Sequence, residues 1–301
     1  MQWILSPAWA GLSTQFLAQN KLGAGNIIKL FGRSPSPSTS ALTDIWPATT
    51  AAVRVLPTAG FTLAVSSDST NDVNATGSGA WQVTVPYLDV GYVAHVAVFA
   101  LNGQTKVGTP IMLDGLLNSN AITNAYRVNP PYISAGQAAA LAAGTAMPAG
   151  NVYIFDNVSA VSSGVPSTLS AIYGWIAVGD GIAQQALYTV PKGQQLLIMH
   201  VYDQCSAAGV TALYAKLVLS VAQWSGGSPP TGALLPFQRF TIGAPAITAG
   251  SPEYSPAFPD VLTEGCELRF QGLAGAANAE ISIIVEGLQY AVGAQAIGGG
   301  P

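Results

Sequence analysis

Short runs in which apolar and polar residues strictly alternate recur along this chain and constrain its fold more than any other feature. Similar alternation occupies residues 213–221 and 280–286. In a third run the apolar positions are Cys266, Leu268 and Phe270, and the polar positions are Glu267, Arg269 and Gln271. Successive side chains of a β-strand point to opposite faces, so a period of two predicts strands with one buried face. Such strands are typical of antiparallel sheets.

The pattern predicts strands along most of the chain after residue 50. The predicted strands cover residues 51–56, 61–67, 80–88, 92–101, 106–113, 124–128, 151–156, 171–178, 186–190, 194–203, 211–222, 235–241, 266–272 and 279–290. Turn chemistry agrees, because Asn102-Gly103 is the residue pair of a tight hairpin turn. Residues 136–147, rich in alanine, instead indicate one or two helical turns.

We therefore predict an all-β protein of two antiparallel β-sandwich or jelly-roll-like domains, preceded by an extended N-terminal arm. The arm and a Pro/Ser linker occupy residues 1–40, and a Gly-rich tail occupies 293–301. The first domain covers 41–160 and the second covers 161–292. The boundary is placed in a connection, near residue 160, that has the composition of a long loop.

Charge is scarce in this chain. Only 8% of the residues are charged, against about 25% in a typical soluble domain, while 50% are hydrophobic. Neutral surface is cheaper to desolvate than charged surface, so this deficit indicates faces that other protein subunits cover. The alternative is a secreted or acid-tolerant protein with a neutral exterior.

The distribution of charge argues against two classes of partner. The net charge is −4 and the ten basic residues form no stripe, so we expect no nucleic-acid partner. No run reaches the 18 or so continuous apolar residues of a membrane span, so we expect no membrane partner. The N-terminus lacks the basic start of a secretory signal and is interpreted as an ordered arm.

Candidate chemistry is sparse. His95 and His200 lie inside apolar strand patterns without neighbouring metal ligands, and Cys205 and Cys266 are interpreted as buried thiols, with a single bridge as the alternative. The loop from Asp68 to Asn74 resembles half of a calcium loop, but Val73 stands where glycine is required. We interpret it as a strand connector and predict no catalytic residue, metal or cofactor.

An ordered set of phrases resembles a family of tailed-bacteriophage virion structural proteins. Its members carry Phe-Gly-Arg-Asn-Pro-Asp, an acidic residue with Ile-Trp, Ser-x-Asn-Asp with Gly-Thr-Gly-Ala, Gly-Leu-Asp, Leu-Asn-Gly and Ile-Tyr-Thr-Val-Pro-Ala-Gly. The matching phrases here are Phe31-Gly32-Arg33-Ser34-Pro35, Asp44-Ile45-Trp46, Ser69-Thr70-Asn71-Asp72, Thr76-Gly77-Ser78-Gly79-Ala80, Tyr87-Leu88-Asp89, Leu101-Asn102-Gly103 and Ala186-Leu187-Tyr188-Thr189-Val190-Pro191-Lys192-Gly193. Order and spacing agree over roughly residues 31–200. Ser34, Ser36 and Tyr87 depart from the family pattern.

The resemblance implies a virion component without known catalytic residues, located on the capsid or in a tail or fibre. Our leading prediction is a non-enzymatic, capsid-associated decoration or cement protein assembled in the host cytoplasm. A tail or fibre component is the alternative, and from other classes come a carbohydrate-binding module and a glycosidase. The implied partners are the major capsid protein or other virion subunits, together with further copies of this chain, for which a trimer is expected. The expected interface anchors are aromatic. They are Trp3, Trp9, Phe16, Phe31 and Trp46.

Overall fold

The structure is a computed structural model. It describes residues 25–35, 37–47, 55–113, 120–137, 147–207, 212–222, 235–245, 253–254, 260–274 and 279–291. For residues 203–207, 212–222, 235–245, 253–254, 260 and 274 the backbone alone is described.

Strands dominate this described part of the chain. A 3₁₀ turn lies at Leu169–Ala171. The strands are β1 (Asn26–Ser34), β2 (Thr43–Asp44), β3 (Leu63–Ser67), β4 (Ala80–Asp89), β5 (Ala94–Ala100), β6 (Met112–Leu113), β7 (Ala125–Val128), β8 (Tyr132–Gly136), β9 (Val152–Asp156), β10 (Val161–Ser162), β11 (Val165–Pro166), β12 (Ile172–Ile176), β13 (Leu187–Thr189), β14 (Gln194–Ala207), β15 (Ala212–Ala222), β16 (Leu235–Pro245), β17 (Glu253–Tyr254), β18 (Asp260–Leu262), β19 (Glu267–Ala274) and β20 (Ala279–Ala291).

The first sandwich packs two antiparallel sheets around one apolar core. One sheet has the order β6-β5-β4-β7, with β8 also paired to β4, and the other has the order β12-β9-β3. Inward side chains such as Val83 and Phe99 from the first sheet meet Val65 and Ile154 from the second, all fully buried. Alternation places these residues on one face because every second side chain of a strand points inward.

In the second sandwich, β1 forms one edge of a sheet. One sheet has the order β1-β20-β14-β17, with β18 on β14, and the other has the order β13-β19-β15-β16, with β2 on β19. Leu30 of β1 and Ile283 of β20 pack against Leu268 and Phe270 of β19. Residues at both ends of the described chain therefore share one hydrophobic core.

The all-β, antiparallel fold class is confirmed, because every strand pairing recorded between the named strands is antiparallel. A jelly-roll strand order stays a prediction. The strand predicted at 106–113 is reduced to the two residues of β6, although Val107 forms an isolated bridge with Val65. The strand predicted at 51–56 and the helical turns predicted within 136–147 fall mainly outside the described residues.

The N-terminal region differs from a simple arm. All nine residues of β1, from Asn26 to Ser34, pair with β20. The sequence predicts β1 only weakly, because a glycine and a lysine interrupt the alternation of apolar and polar residues within it. Its pairing with β20 makes this segment a strand. Residues 1–24 lie outside the described part of the chain.

The hydrophobic clusters divide the chain in a different place from the sequence prediction. The first sandwich's cluster contains residues from Phe61 to Ala183, whereas the second contains Leu30, Ile45 and residues from Ala186 to Val285. The domain boundary at residue 160 stays a prediction, and the change of core occurs about two dozen residues later.

Candidate subunit-contact surfaces

The polar loop between β3 and β4 is built around one buried carboxylate. Asp72 is fully buried, and its Oδ2 accepts hydrogen bonds from Ser67 Oγ at 2.6 Å and Gly150 N at 2.9 Å. Its Oδ1 accepts from Ala80 N at 2.7 Å and Ala149 N at 2.9 Å. A buried carboxylate needs such donors to replace water. Asp72 therefore fixes the loop to neighbouring segments of the same chain.

Asp68, at the start of the same loop, plays a similar part. Its carboxylate accepts hydrogen bonds from Asn151 N and Nδ2, each at 2.7 Å, and from Tyr153 OH at 3.1 Å. Among the described residues, no group of three or more His, Cys, Asp or Glu side chains is placed to hold a metal ion. The two carboxylates bind this chain's own N–H and O–H donors, as expected of a strand connector.

The two histidines lie on different sandwiches. His95 stacks on Tyr87, with ring centroids 5.2 Å apart, and its Nε2 lies 3.1 Å from Asp89 Oδ2. His200 stacks on Tyr202, with centroids 5.9 Å apart. Cys266 is a buried free thiol, and the side chain of Cys205 lies outside the described part.

Buried polar contacts join the two sandwiches. Arg127 on β7 and Glu267 on β19 form an ion pair in which each side chain is 2% exposed. Asn129 and Thr189 exchange hydrogen bonds, from Asn129 Nδ2 to Thr189 O at 3.1 Å and from Thr189 N to Asn129 Oδ1 at 2.9 Å. This junction occupies polar groups that sequence reasoning did not single out.

The first candidate surface, here called the neutral face, is the outer side of the sheet formed by β6, β5, β4 and β8. Directly opposed residues form one row across it, from Met112 to Val98, Thr84, Tyr132 and Ile182. The row spans about 19 Å at the usual strand spacing. Met112, Tyr132 and Ile182 are 39%, 41% and 40% exposed.

In the two neighbouring rows of the neutral face, the residues that the structure describes on β4 and β5 are also uncharged. Val96 opposes Pro86 on one side of the row, and Ala100 opposes Gln82 on the other. Large apolar side chains exposed together in this way favour contact with another protein. The sequence carried a signal for this face, because apart from His95 the residues of β5 are apolar at both parities, as in a strand with two covered faces.

The second candidate surface, here called the paired face, is the outer side of β1 and β20. Phe31 lies opposite Ile284, which is exposed, and Lys29 lies opposite Glu286. Lys29 Nζ lies 2.9 Å from Glu286 Oε1, and this hydrogen bond raises the pKa of Lys29 above its usual value. The residues of the paired face are Lys29, Phe31, Arg33, Glu280, Ser282, Ile284 and Glu286.

A second ion pair completes the paired face. Arg33 Nε and Nη2 bind the two carboxylate oxygens of Glu280 at 2.8 Å and 3.0 Å. The hydrogen bond to Glu280 raises the pKa of Arg33. The two cations and two anions of this face thus neutralise one another.

The structure separates the five predicted anchors. Phe31 lies half-buried on the paired face. Trp46 is 4% exposed and packs edge-on against Trp175, with centroids 5.8 Å apart, so its own chain covers it. Trp3, Trp9 and Phe16 lie outside the described residues, and an interface role for all five stays a prediction.

The described tryptophans do not form an open sugar platform. Trp46 and Trp175 are buried, and the Nε1 of the half-buried Trp81 donates to Gly77 O at 2.7 Å. In the described ranges, no helix has both the length and the apolar character needed to cross a membrane.

Comparison with known proteins leaves the family open. No protein-family description matches the sequence. No curated protein matches it either. A structure of the Gx strain of infectious bursal disease virus is 10% identical, covering 89% of this chain and 71% of that one, with a TM-score of 0.20. The VP2 subviral particle of infectious bursal disease virus is 9% identical, covering 90% and 77%, with a TM-score of 0.17. Both similar structures are viral, but TM-scores of this size establish neither a shared fold nor a shared function, and the tailed-phage resemblance stays a prediction.

Proposed function

We propose that this protein is a non-enzymatic structural component of a virus particle, located on the capsid of a tailed phage as a decoration or cement protein. The neutral face of this protein would bind the major capsid protein or another virion subunit, and this contact would stabilise the shell. The chain would act as a homo-oligomer, with the trimer as the expected state. The sequence resemblance over residues 31–200 supports the phage assignment.

The observation that carries the proposal is the row from Met112 to Ile182. Met112 on one side of the buried Thr84, and Tyr132 and Ile182 on the other, present large apolar side chains to solvent. Among the described residues, those of this row and of the cross-strand pairs Val96–Pro86 and Ala100–Gln82 beside it are uncharged. Burying such a face gains apolar contact without the cost of desolvating charge. Only 8% of the residues of the entire chain are charged, so low charge is not confined to this one patch.

A particle-binding experiment tests the role of the neutral face. Virus particles assembled without this protein are mixed with purified full-length chain and sedimented, and the bound fraction is measured. Ile182→Lys places a charge in the exposed end of the row and should abolish binding. Val158→Lys is the matched control, because Val158 is exposed on the loop after β9, at the other sheet of the sandwich, and should bind as the wild type does.

Electron microscopy of particles carrying the labelled protein tests the location. Copies repeated over the shell lattice support a decoration or cement role. Density at a single vertex would instead place the protein in the tail. Absence of the protein from all particles would overturn a virion role altogether.

A further inference from the structure

The paired face has the arrangement of a self-contact. Its outward residues form three successive cross-strand pairs between β1 and β20, namely Lys29 with Glu286, Phe31 with Ile284, and Arg33 with Ser282. Glu280 lies on the same side of β20 and binds Arg33. The inward neighbours Leu30 and Ile283 belong to the core, so the paired face points away from it.

We infer that a second copy of this chain packs on the paired face about a two-fold axis that runs between β1 and β20, parallel to the strands. This rotation lays β1 of one copy over β20 of the other and keeps the rows in register. Lys29 then faces Glu286 of the other copy, and Phe31 faces Ile284. A contact in which residue i meets j and j meets i is the isologous form of most homodimers.

Charge is the reason for choosing a second copy as the occupant. Lys29 and Arg33 are matched by Glu286 and Glu280, so the face has no net charge from these groups and does not repel itself. A second copy supplies Glu286 opposite Lys29, the aliphatic Ile284 opposite Phe31, and Ser282 opposite Arg33, at the required spacing. Sheets that pack face to face align within about 30°, which this axis satisfies.

The neighbouring residues limit the size of the contact. Ile27 is 52% exposed, but its cross-strand partner Leu288 is 2% exposed and offers no free surface. On the other side of β20 lies β14, whose residue His200 is opposite Glu286. Three rows across two or three strands make a small patch compared with a standard interface, so the free chain should associate weakly, and a particle would strengthen the contact by raising local concentration.

This self-contact rests on the proposed function in one respect, because the proposed function says where copies of the chain meet. In a trimeric assembly it would join copies from neighbouring trimers. It is nonetheless measurable on the free chain, so a protein that self-associates but never joins particles would overturn the proposed function and leave the contact standing.

Charge reversal tests the contact. In the row of Lys29 and Glu286, Lys29→Glu leaves two acids from each copy and Glu286→Lys leaves two bases from each copy. Each variant alone should therefore self-associate at least about ten-fold more weakly than the wild type in analytical ultracentrifugation. The combined variant restores the opposite charges and should recover wild-type association. An equimolar mixture of the two single variants should form mixed pairs, because each supplies the charge that the other lacks.

Two controls separate the contact from folding and from net charge. Circular dichroism should show that all variants keep the β fold, since the Lys29 side chain is 69% exposed. Lys192→Glu changes the net charge by the same amount at another exposed position and should leave self-association unchanged. A wild type that stays monomeric at the highest soluble concentration would overturn the inference. So would single variants that associate normally, or a mixture that does not pair.

Discussion

Arg127 and Glu267, 140 residues apart in the sequence, form a buried ion pair where the two sandwiches meet. The Nη1 of Arg127 also donates to Pro57 O at 2.8 Å and to Tyr126 O at 2.9 Å, and the guanidinium lies 3.9 Å from the centroid of the Tyr126 ring. These contacts occupy the cation on several sides. The pair therefore couples the two cores through groups that neither sandwich could bury alone.

Removing one partner of this pair should cost much more than its contact is worth. Glu267→Leu leaves the guanidinium buried without its anion, and we expect the free energy of unfolding to fall by about 3–5 kcal/mol. The double variant Arg127→Met with Glu267→Leu should lose less than the sum of the two single variants. Denaturant unfolding measures all three, and strictly additive losses would contradict the coupling. Glu280→Gln, in the half-exposed pair with Arg33, serves as the control and should cost less than about 1 kcal/mol.

The buried carboxylate of Asp72 should be essential for stability. Asp72→Asn replaces an acceptor oxygen by an amide that faces existing N–H and O–H donors, and we expect a loss of about 3 kcal/mol in the free energy of unfolding. Asp156→Asn is the comparison, because the single bond recorded for that side chain comes from Val158 N at 3.2 Å. Thermal unfolding of the two variants should differ clearly, and equal midpoints would show that the four donors do not require an anion.

Gly164 should tolerate no side chain, for reasons of space and backbone conformation together. Its φ is +81°, and a Cβ would lie 1.8 Å from Ser67 O. Gly193 has a similar φ of +73° but no atom within 4 Å of its Cβ position. Gly193→Ala should therefore cost about 1 kcal/mol for backbone strain, whereas Gly164→Ala should cost at least about 3 kcal/mol. Chemical denaturation of the pair isolates the steric part, and equal costs would refute it.

The turn between β4 and β5 should weaken in acid. Burial favours a higher pKa for Asp89, but hydrogen bonds from His95 and from the N–H groups of Val93 and Gly91 outweigh it and lower the pKa below its ordinary value of 3.8. A lowered pKa stabilises the folded state above the unfolded value, and this contribution disappears as the pH falls through the folded pKa. The stability advantage of the wild type over Asp89→Asn should thus shrink as the pH falls below about 4. A difference that does not change with pH would contradict this role.

The alternation of apolar and polar residues was enough to predict most strands. The runs at 80–88, 194–203 and 279–290 correspond to β4, β14 and β20, because alternation records which face of each strand is buried. It could not predict β1, whose residues depart from a clear alternation. Pairing with β20 over its full length makes β1 a strand.

The predicted interface anchors show that sequence patterns likewise could not locate the candidate surfaces. The aromatic character of Trp46 is visible in the sequence, but whether it meets another subunit or its own chain depends on Trp175, more than a hundred residues later. Trp46→Ala is therefore expected to affect folding before it affects any assembly. Phe31, equally aromatic, lies on an outer face because alternate side chains of β1 point away from the core that contains Leu30.

Composition and residue order by themselves determined that the chain forms antiparallel strands and presents little charge, since both properties are local and additive along the sequence. Tertiary structure decided which faces remain outside. The row from Met112 to Ile182 and the pairing of Lys29 with Glu286 exist only because strands distant in sequence are neighbours in register. A pattern of period two gives each strand two faces, but the packing of one sheet on another chooses which of them is left for a partner.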